Sequence, residues 1–146
     1  MSLDVQDIYH AYAAGIFDGE GCIHAGVSRS NPTGRPRPFV KAVMAMSDPR
    51  PLRLMQTLFG GSIRTGAAKG MSKKTFWFWE LGTKATSQFL ADVLPYLIVK
   101  KDQAQLALQL HSRSSATRQW RTDSEEIGIR LELVKKIKDL KHQEIA

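Results

Sequence analysis

The chain opens with an apolar helical run in which Asp4 stands as N-cap with Asp7 three residues on, and it predicts a helix from about Val5 to Gly19. Gly21 ends that helix. From Cys22 to Ser28 the pattern changes to strict alternation, with Ile23, Ala25 and Val27 set against Cys22, His24, Gly26 and Ser28, which predicts a strand. Arg29–Pro38 carries Asn, Gly and three prolines and reads as a long hairpin loop, followed by a second strand over Phe39–Met46. Asp48 followed by Pro49 is an N-cap with proline at the first helical position. The helix it starts turns Leu52, Met55, Leu58 and Phe59 inward and stops at Gly60-Gly61.

The second half repeats the order. Ser62–Ala68 is a third strand, Lys69–Lys74 a basic turn, and Thr75–Leu81 a fourth strand whose Phe76, Trp77, Phe78 and Trp79 place one aromatic pair on each face. One pair belongs to the core and the other is partly exposed, beside a ligand; the pattern leaves open which. Thr83 caps a helix through Val93, ended by Pro95, and Lys101–His111 is amphipathic. Ser112–Arg121 is Ser/Arg-rich. Asp123 with Glu126 forms a capping box for a last helix ending near His142, with Ile127, Leu131, Val134 and Ile137 inward. Residues 7–47 and 48–82 thus each place a helix before a strand pair. With antiparallel strands, this order predicts an α+β domain with helices on one face of a single sheet, the other face left open.

Composition narrows the partners. At 146 residues with 42% hydrophobic content, the chain reads as one folded domain, with a core over about 5–111 and a helical extension over about 112–146. No apolar stretch approaches a bilayer span, and a lone Cys22 forms no internal disulfide, so a reducing, intracellular setting is expected, cytoplasmic or organellar, without a membrane. The net charge of +7 favours a polyanionic partner, and a bare, curved, basic sheet suits the groove of a duplex.

The chemistry concentrates in residues 13–21, Ala-Ala-Gly-Ile-Phe-Asp-Gly-Glu-Gly. Gly15 and Gly19 each cost a helix interior about 1 kcal/mol relative to Ala. Ala11, Gly15 and Gly19 recur every four residues, a smooth stripe that calls for close approach of a second backbone. Asp18 and Glu20 stand at the C-terminal end of the helix, where the dipole repels carboxylates. A divalent cation would turn that repulsion into attraction, since hard cations take carboxylate and carbonyl oxygens together.

The run Tyr-Ala-Ala-Gly-Ile-Phe-Asp-Gly-Glu-Gly at 12–21 resembles the signature of the LAGLIDADG homing endonucleases. The αββαββα order, the Asp48 helix start, the Phe59-Gly60-Gly61 turn and the stretch Pro95–Lys100 extend the resemblance over roughly residues 7–115. It implies a four-stranded, saddle-shaped antiparallel sheet and, with one motif copy, the homodimeric branch, with Ala11, Gly15, Asp18 and Gly19 at the two-fold axis and a near-palindromic DNA site. It further implies metal-dependent double-strand cleavage of DNA. Glu20 would be the metal ligand, the Gly19 carbonyl would add to it, and Asp18 would be a supporting polar group. Mg²⁺ is the expected ion, with Mn²⁺ or a non-cleaving Ca²⁺ as substitutes. Lys100 takes the family's basic position, Ser47 falls near its water-positioning residue, and Arg50 or Arg53 would add a cation. Ala13 stands where the family has Leu, and Ser47 where it has an amide.

For DNA contacts, His24, Ser28, Lys41 and Arg64 are candidate base readers on the sheet, and Trp77 a candidate for packing beside DNA. Arg29, Arg35 and Arg37, Lys69, Lys73 and Lys74, and Arg113, Arg118 and Arg121 are candidate phosphate contacts in basic loops. Two other readings use the same residues: a catalytically inactive RNA maturase or DNA-binding regulator on this fold, and a monomeric basic interaction module with a chance motif.

Overall fold

The computed structural model describes residues 3–29, 34–67, 75–116 and 123–142. Lys69, Lys73, Lys74, Arg118 and Arg121 therefore lie outside the described residues. The elements are α1 (Val5–Glu20), β1 (Gly21–Ser28), β2 (Arg37–Met46), α2 (Arg50–Phe59), β3 (Ser62–Ala67), β4 (Thr75–Glu80), α3 (Thr83–Val93), α4 (Lys101–Ala116) and α5 (Ser124–Lys141). A single 3-10 turn, Leu94–Tyr96, joins α3 to the segment before α4. The four strands form one antiparallel sheet in the order β1-β2-β4-β3, and the helices pack on one of its faces. The α+β architecture is the one the sequence predicts.

Register sorts the side chains. Gly21 pairs with Met44 and Ile23 with Ala42 in the β1/β2 hairpin, Met44 with Trp79 across β2/β4, and Ile63 with Trp79 across β3/β4. Paired residues share a face, so Ile23, Ala25, Val40, Ala42, Met44 and Trp79 form the floor of the core beneath the helices. Phe89 of α3 sits at its centre, with ring centroids 5.1 Å from Phe17, 4.8 Å from Phe59 and 5.5 Å from Trp79 in edge-on geometry. Leu133, Val134 and Ile137 of α5 join the same core.

Several boundaries differ from expectation, each for a local reason. β2 begins at Arg37, and so includes Pro38, because residues 37–44 pair in register with β1 whereas only 43–46 pair with β4; a proline is tolerated where one side of a strand lacks a partner. Asp48 sits one residue before the N-cap, Pro49, yet still accepts from the Arg50 N–H at 3.0 Å. Gly82, not Thr83, is the N-cap of α3. α4 runs on through Ser112 to Ala116, as serine and arginine in a helix's last turn need no break. Asp123 caps α5 by accepting from the Glu126 N–H at 2.8 Å, but the Glu126 carboxylate turns to Arg113 and Arg130 instead of back to the cap. The buried face of α5 is rotated accordingly: Arg130, Leu133, Val134 and Ile137 are buried, Ile127 and Leu131 only half-buried. Gly60 and Gly61 end α2 at φ values of 78° and 92°, open to glycine, and the Gly60 carbonyl accepts from Trp79 Nε1 at 2.8 Å.

Candidate active site and nucleic-acid interface

α1 divides cleanly into two sides. Ala13, Ala14 and Phe17 are buried against the core, whereas Ala11, Gly15 and Gly19 are exposed, and a Cβ added to Gly15 or Gly19 would meet nothing within 4 Å. Close packing inside the chain therefore does not account for these glycines. Ile8 (56% exposed) and Tyr12 (45% exposed) flank the same stripe, so this helix turns an apolar, smooth surface outward.

At the end of that helix the two acids part company. Asp18 turns inward: its Oδ2 accepts from the Ile98 N–H at 2.8 Å and its Oδ1 from the Lys100 N–H at 3.0 Å. It is thus a bracket for the turn before α4, and its carboxylate belongs to intrachain contacts, not to the exposed stripe where a helix partner was expected. Glu20 is exposed and has no hydrogen-bond or ion-pair partner among the described residues. Among those residues no three His, Cys, Asp or Glu side chains gather to hold a metal ion. What this helix end offers is the Glu20 carboxylate and the neighbouring Gly19 carbonyl, hard oxygen atoms of the kind Mg²⁺ takes.

Lys100 points at this helix end. Its Nζ donates to the Asp18 carbonyl at 2.8 Å and lies 5.9 Å from the Phe17 ring centroid. Burial pushes its ammonium below the usual lysine value, against the opposing pull of the Asp18 charge. Cys22, two residues past Glu20, accepts from Lys141 Nζ at 3.2 Å. No local pattern places the Lys141 cation here, since it stands 119 residues from its partner and the return of α5 over β1 and β2 delivers it. Ser47 is exposed directly after β2, three residues beyond Met44, which pairs with Gly21. Arg50 is committed to Asp48 at 2.6 Å, which holds the Asp48 carboxyl down at about 2; Arg53 is exposed one turn on.

The face of the sheet away from the helices carries Cys22, His24, Gly26 and Ser28 from β1, Arg37, Phe39, Lys41, Val43 and Ala45 from β2, Phe76, Phe78 and Glu80 from β4, and Ser62, Arg64 and Gly66 from β3. His24, Ser28, Arg37, Lys41 and Arg64 therefore share one surface, with Arg29 exposed just past β1 and Arg35 exposed in the β1–β2 connection. Lys41 is bridged to Glu80 at 3.0 Å. Two candidates do not join this surface. Trp77 alternates with Phe78 and falls on the helix-covered side, where it packs against the core beside fully buried Trp79. Arg113 donates from Nε to Glu126 Oε1 at 3.0 Å and from Nη2 to Oε2 at 2.9 Å, tying α4 to α5. The open face instead gains Phe39, Phe76 and Phe78, aromatic groups the alternation alone did not assign.

Neither a protein-family model nor a curated protein matches the sequence. Solved structures do. The chain superposes on the homing endonuclease I-CvuI, solved in complex with a DNA target in the presence of Mg, with a TM-score of 0.75 and 22% identity over 97% of this chain and 87% of that one. The archaeal intron-encoded homing endonuclease I-Vdi141I, complexed with DNA, gives a TM-score of 0.73 at 14% identity over 96% and 88%. The chain has the LAGLIDADG homing endonuclease fold. The LAGLIDADG homing endonuclease I-GzeII, in complex with its DNA target, matches over 88% of this chain but only 43% of its own length, with a TM-score of 0.64 and 18% identity. In this fold the motif at 12–21 occupies α1 and the turn into β1, and no described helix is long and apolar enough to cross a membrane.

Proposed function

We propose that this chain is a homodimeric, divalent-metal-dependent, site-specific DNA endonuclease of the homing type, acting on DNA within the cell, in the cytoplasm or an organelle. The observation that carries the reading is the end of α1, where Glu20 stands exposed with no partner among the described residues, on a helix whose glycine face is open, while Lys100 Nζ holds the Asp18 carbonyl of the same helix end. Two such helices meeting at a two-fold axis would cover that face, and they would bring two Glu20 carboxylates together, a proximity tolerable only with cations between them. The match to less than half of I-GzeII supports the same arithmetic: two copies of this chain approximate one such longer protein.

Glu20 and the Gly19 carbonyl are the residues that would hold Mg²⁺, with Mn²⁺ as a substitute and Ca²⁺ supporting binding without cleavage. Bound there, the metal supplies a Lewis acid and an activated water for phosphodiester hydrolysis. Lys100 holds a positive charge against the scissile phosphate, and Asp18 fixes the turn that carries it. Ser47 offers a hydroxyl for positioning water. The open face supplies His24, Ser28, Lys41 and Arg64 to base edges, with Arg29, Arg35 and Arg37 on phosphates, and the two-fold axis makes the preferred site near-palindromic.

Incubation with Mg²⁺ and a library of duplexes with randomised palindromic half-sites tests the proposal. Double-strand cuts at a defined sequence are expected from the wild-type protein and none from Glu20→Gln. Equal cutting by Glu20→Gln would remove Glu20 from the centre. Sequence-selective binding without cuts would make the chain a DNA-binding regulator.

A further inference from the structure

The open face of the sheet twice sets a phenylalanine ring against a glycine, once directly across the strands and once diagonally. In the first hairpin, Phe39 lies half-buried across from Gly26, and a Cβ on Gly26 would stand 2.6 Å from the ring. In the second, Phe78 lies half-buried over Gly66, where a Cβ would stand 2.9 Å from the ring. Each glycine leaves free the space that the neighbouring phenyl ring occupies. Each ring is then attended by a cation: Lys41 Nζ lies 5.9 Å from the Phe39 centroid and the Arg64 guanidinium 4.4 Å from that of Phe78. Half-buried on this face, each ring adds apolar area that forms no hydrogen bond next to a cation that does, with the Arg64 guanidinium seated over the ring of Phe78.

In the major groove one base-edge group matches such a surface, the C5-methyl of thymine, while the guanine edge matches the arginine beside it. The charge of the chain and the arginines and lysine on this face commit its occupant to duplex DNA. We infer that Phe39 and Phe78 are specificity-determining residues that read thymine methyl groups at two separate positions in each half-site. This rests on the endonuclease reading and deepens it. Phe78 pairs with Ala45, six residues along β2 from Phe39. At about 3.3 Å per residue that is about 20 Å, or about six base pairs for a ribbon lying along the groove. Phe78 falls near the helix ends and the cleavage centre, and Phe39 toward the outer flank of the half-site.

The test begins with the duplex that the wild-type protein selects from a randomised pool in Ca²⁺. Each dT is then replaced singly by dU, which removes only the methyl. Loss of one buried methyl is expected to weaken binding roughly fourfold at each read position, with two sensitive positions about six base pairs apart in each half-site. Phe78→Ala should abolish the inner sensitivity and leave the outer one, and Phe39→Ala the reverse. Duplexes bound equally well with dU at every position would overturn the inference, as would sensitivity that survives in both variants. The dU series on the wild-type protein can still overturn the inference if an alanine variant fails to fold, and Phe39→Leu and Phe78→Leu then carry the assignment. A protein that selects no duplex loses the endonuclease reading as well, whereas one that selects a duplex without methyl dependence loses only the inference.

Discussion

Lys100 carries its charge where water is partly excluded, between the Phe17 ring and the Asp18 carbonyl. Its depressed pKa has two consequences of opposite sign. Between that value and the ordinary lysine value, the unfolded chain keeps the proton and the folded chain gives it up, so stability rises with pH across the window. The positive charge needed beside a phosphate is lost across the same window. Cleavage is therefore expected to decline on the alkaline side at a pH below that of an ordinary lysine, and Lys100→Met should be slow throughout with that limb gone; kcat/KM followed against pH checks both, and an unchanged limb in Lys100→Met would assign it to another group. Glu20→Gln should lose more than about a hundredfold in cleavage, because even outer-shell partners of metal ligands are worth about ten- to a hundredfold. Its DNA affinity in Ca²⁺ should change far less than its rate.

At the scale of elements, the core is organised around α3, whose Phe89 touches Phe17 of α1, Phe59 of α2 and Trp79 of β4. Phe89→Ala is expected to destabilise the chain by about 3–5 kcal/mol, read from the urea midpoint. The α4–α5 junction responds to acid instead. Arg113, by hydrogen bond, holds the Glu126 carboxyl below its usual range, with Arg130 adding to it. That contribution is present above the unfolded carboxylate value and is lost as pH falls through the lowered folded one. Glu126→Gln should flatten the acid limb of thermal stability, measured by melting temperature against pH. The elements themselves were legible because their apolar spacing and punctuation are local: Gly60-Gly61 stops α2 as read, and Asp123 caps α5. The faces of β4 were not, since Trp77, Trp79, Phe76 and Phe78 are equally apolar. Met44 and the Gly60 carbonyl, both distant in sequence, decide for the tryptophans. Arg113 reads as a loop cation until Glu126, thirteen residues on and in the next helix, takes it.

For the whole molecule, the motif was legible in chemistry and its partners were not. Gly15, Gly19 and Glu20 announce themselves because each is costly where it stands. Lys141 does not, because nothing local relates it to Cys22. In the single chain the Gly15 position is open space, so Gly15→Leu should fold and even gain helix propensity, by about 1 kcal/mol at most. If two copies meet there, the same change should separate them. The sedimentation-equilibrium mass of the wild-type and Gly15→Leu proteins at micromolar concentration tests this directly. A homodimer gives twice the chain mass for wild type and one chain mass for the variant, whereas a wild-type protein that sediments as one chain, free and on DNA, would rule the homodimer out.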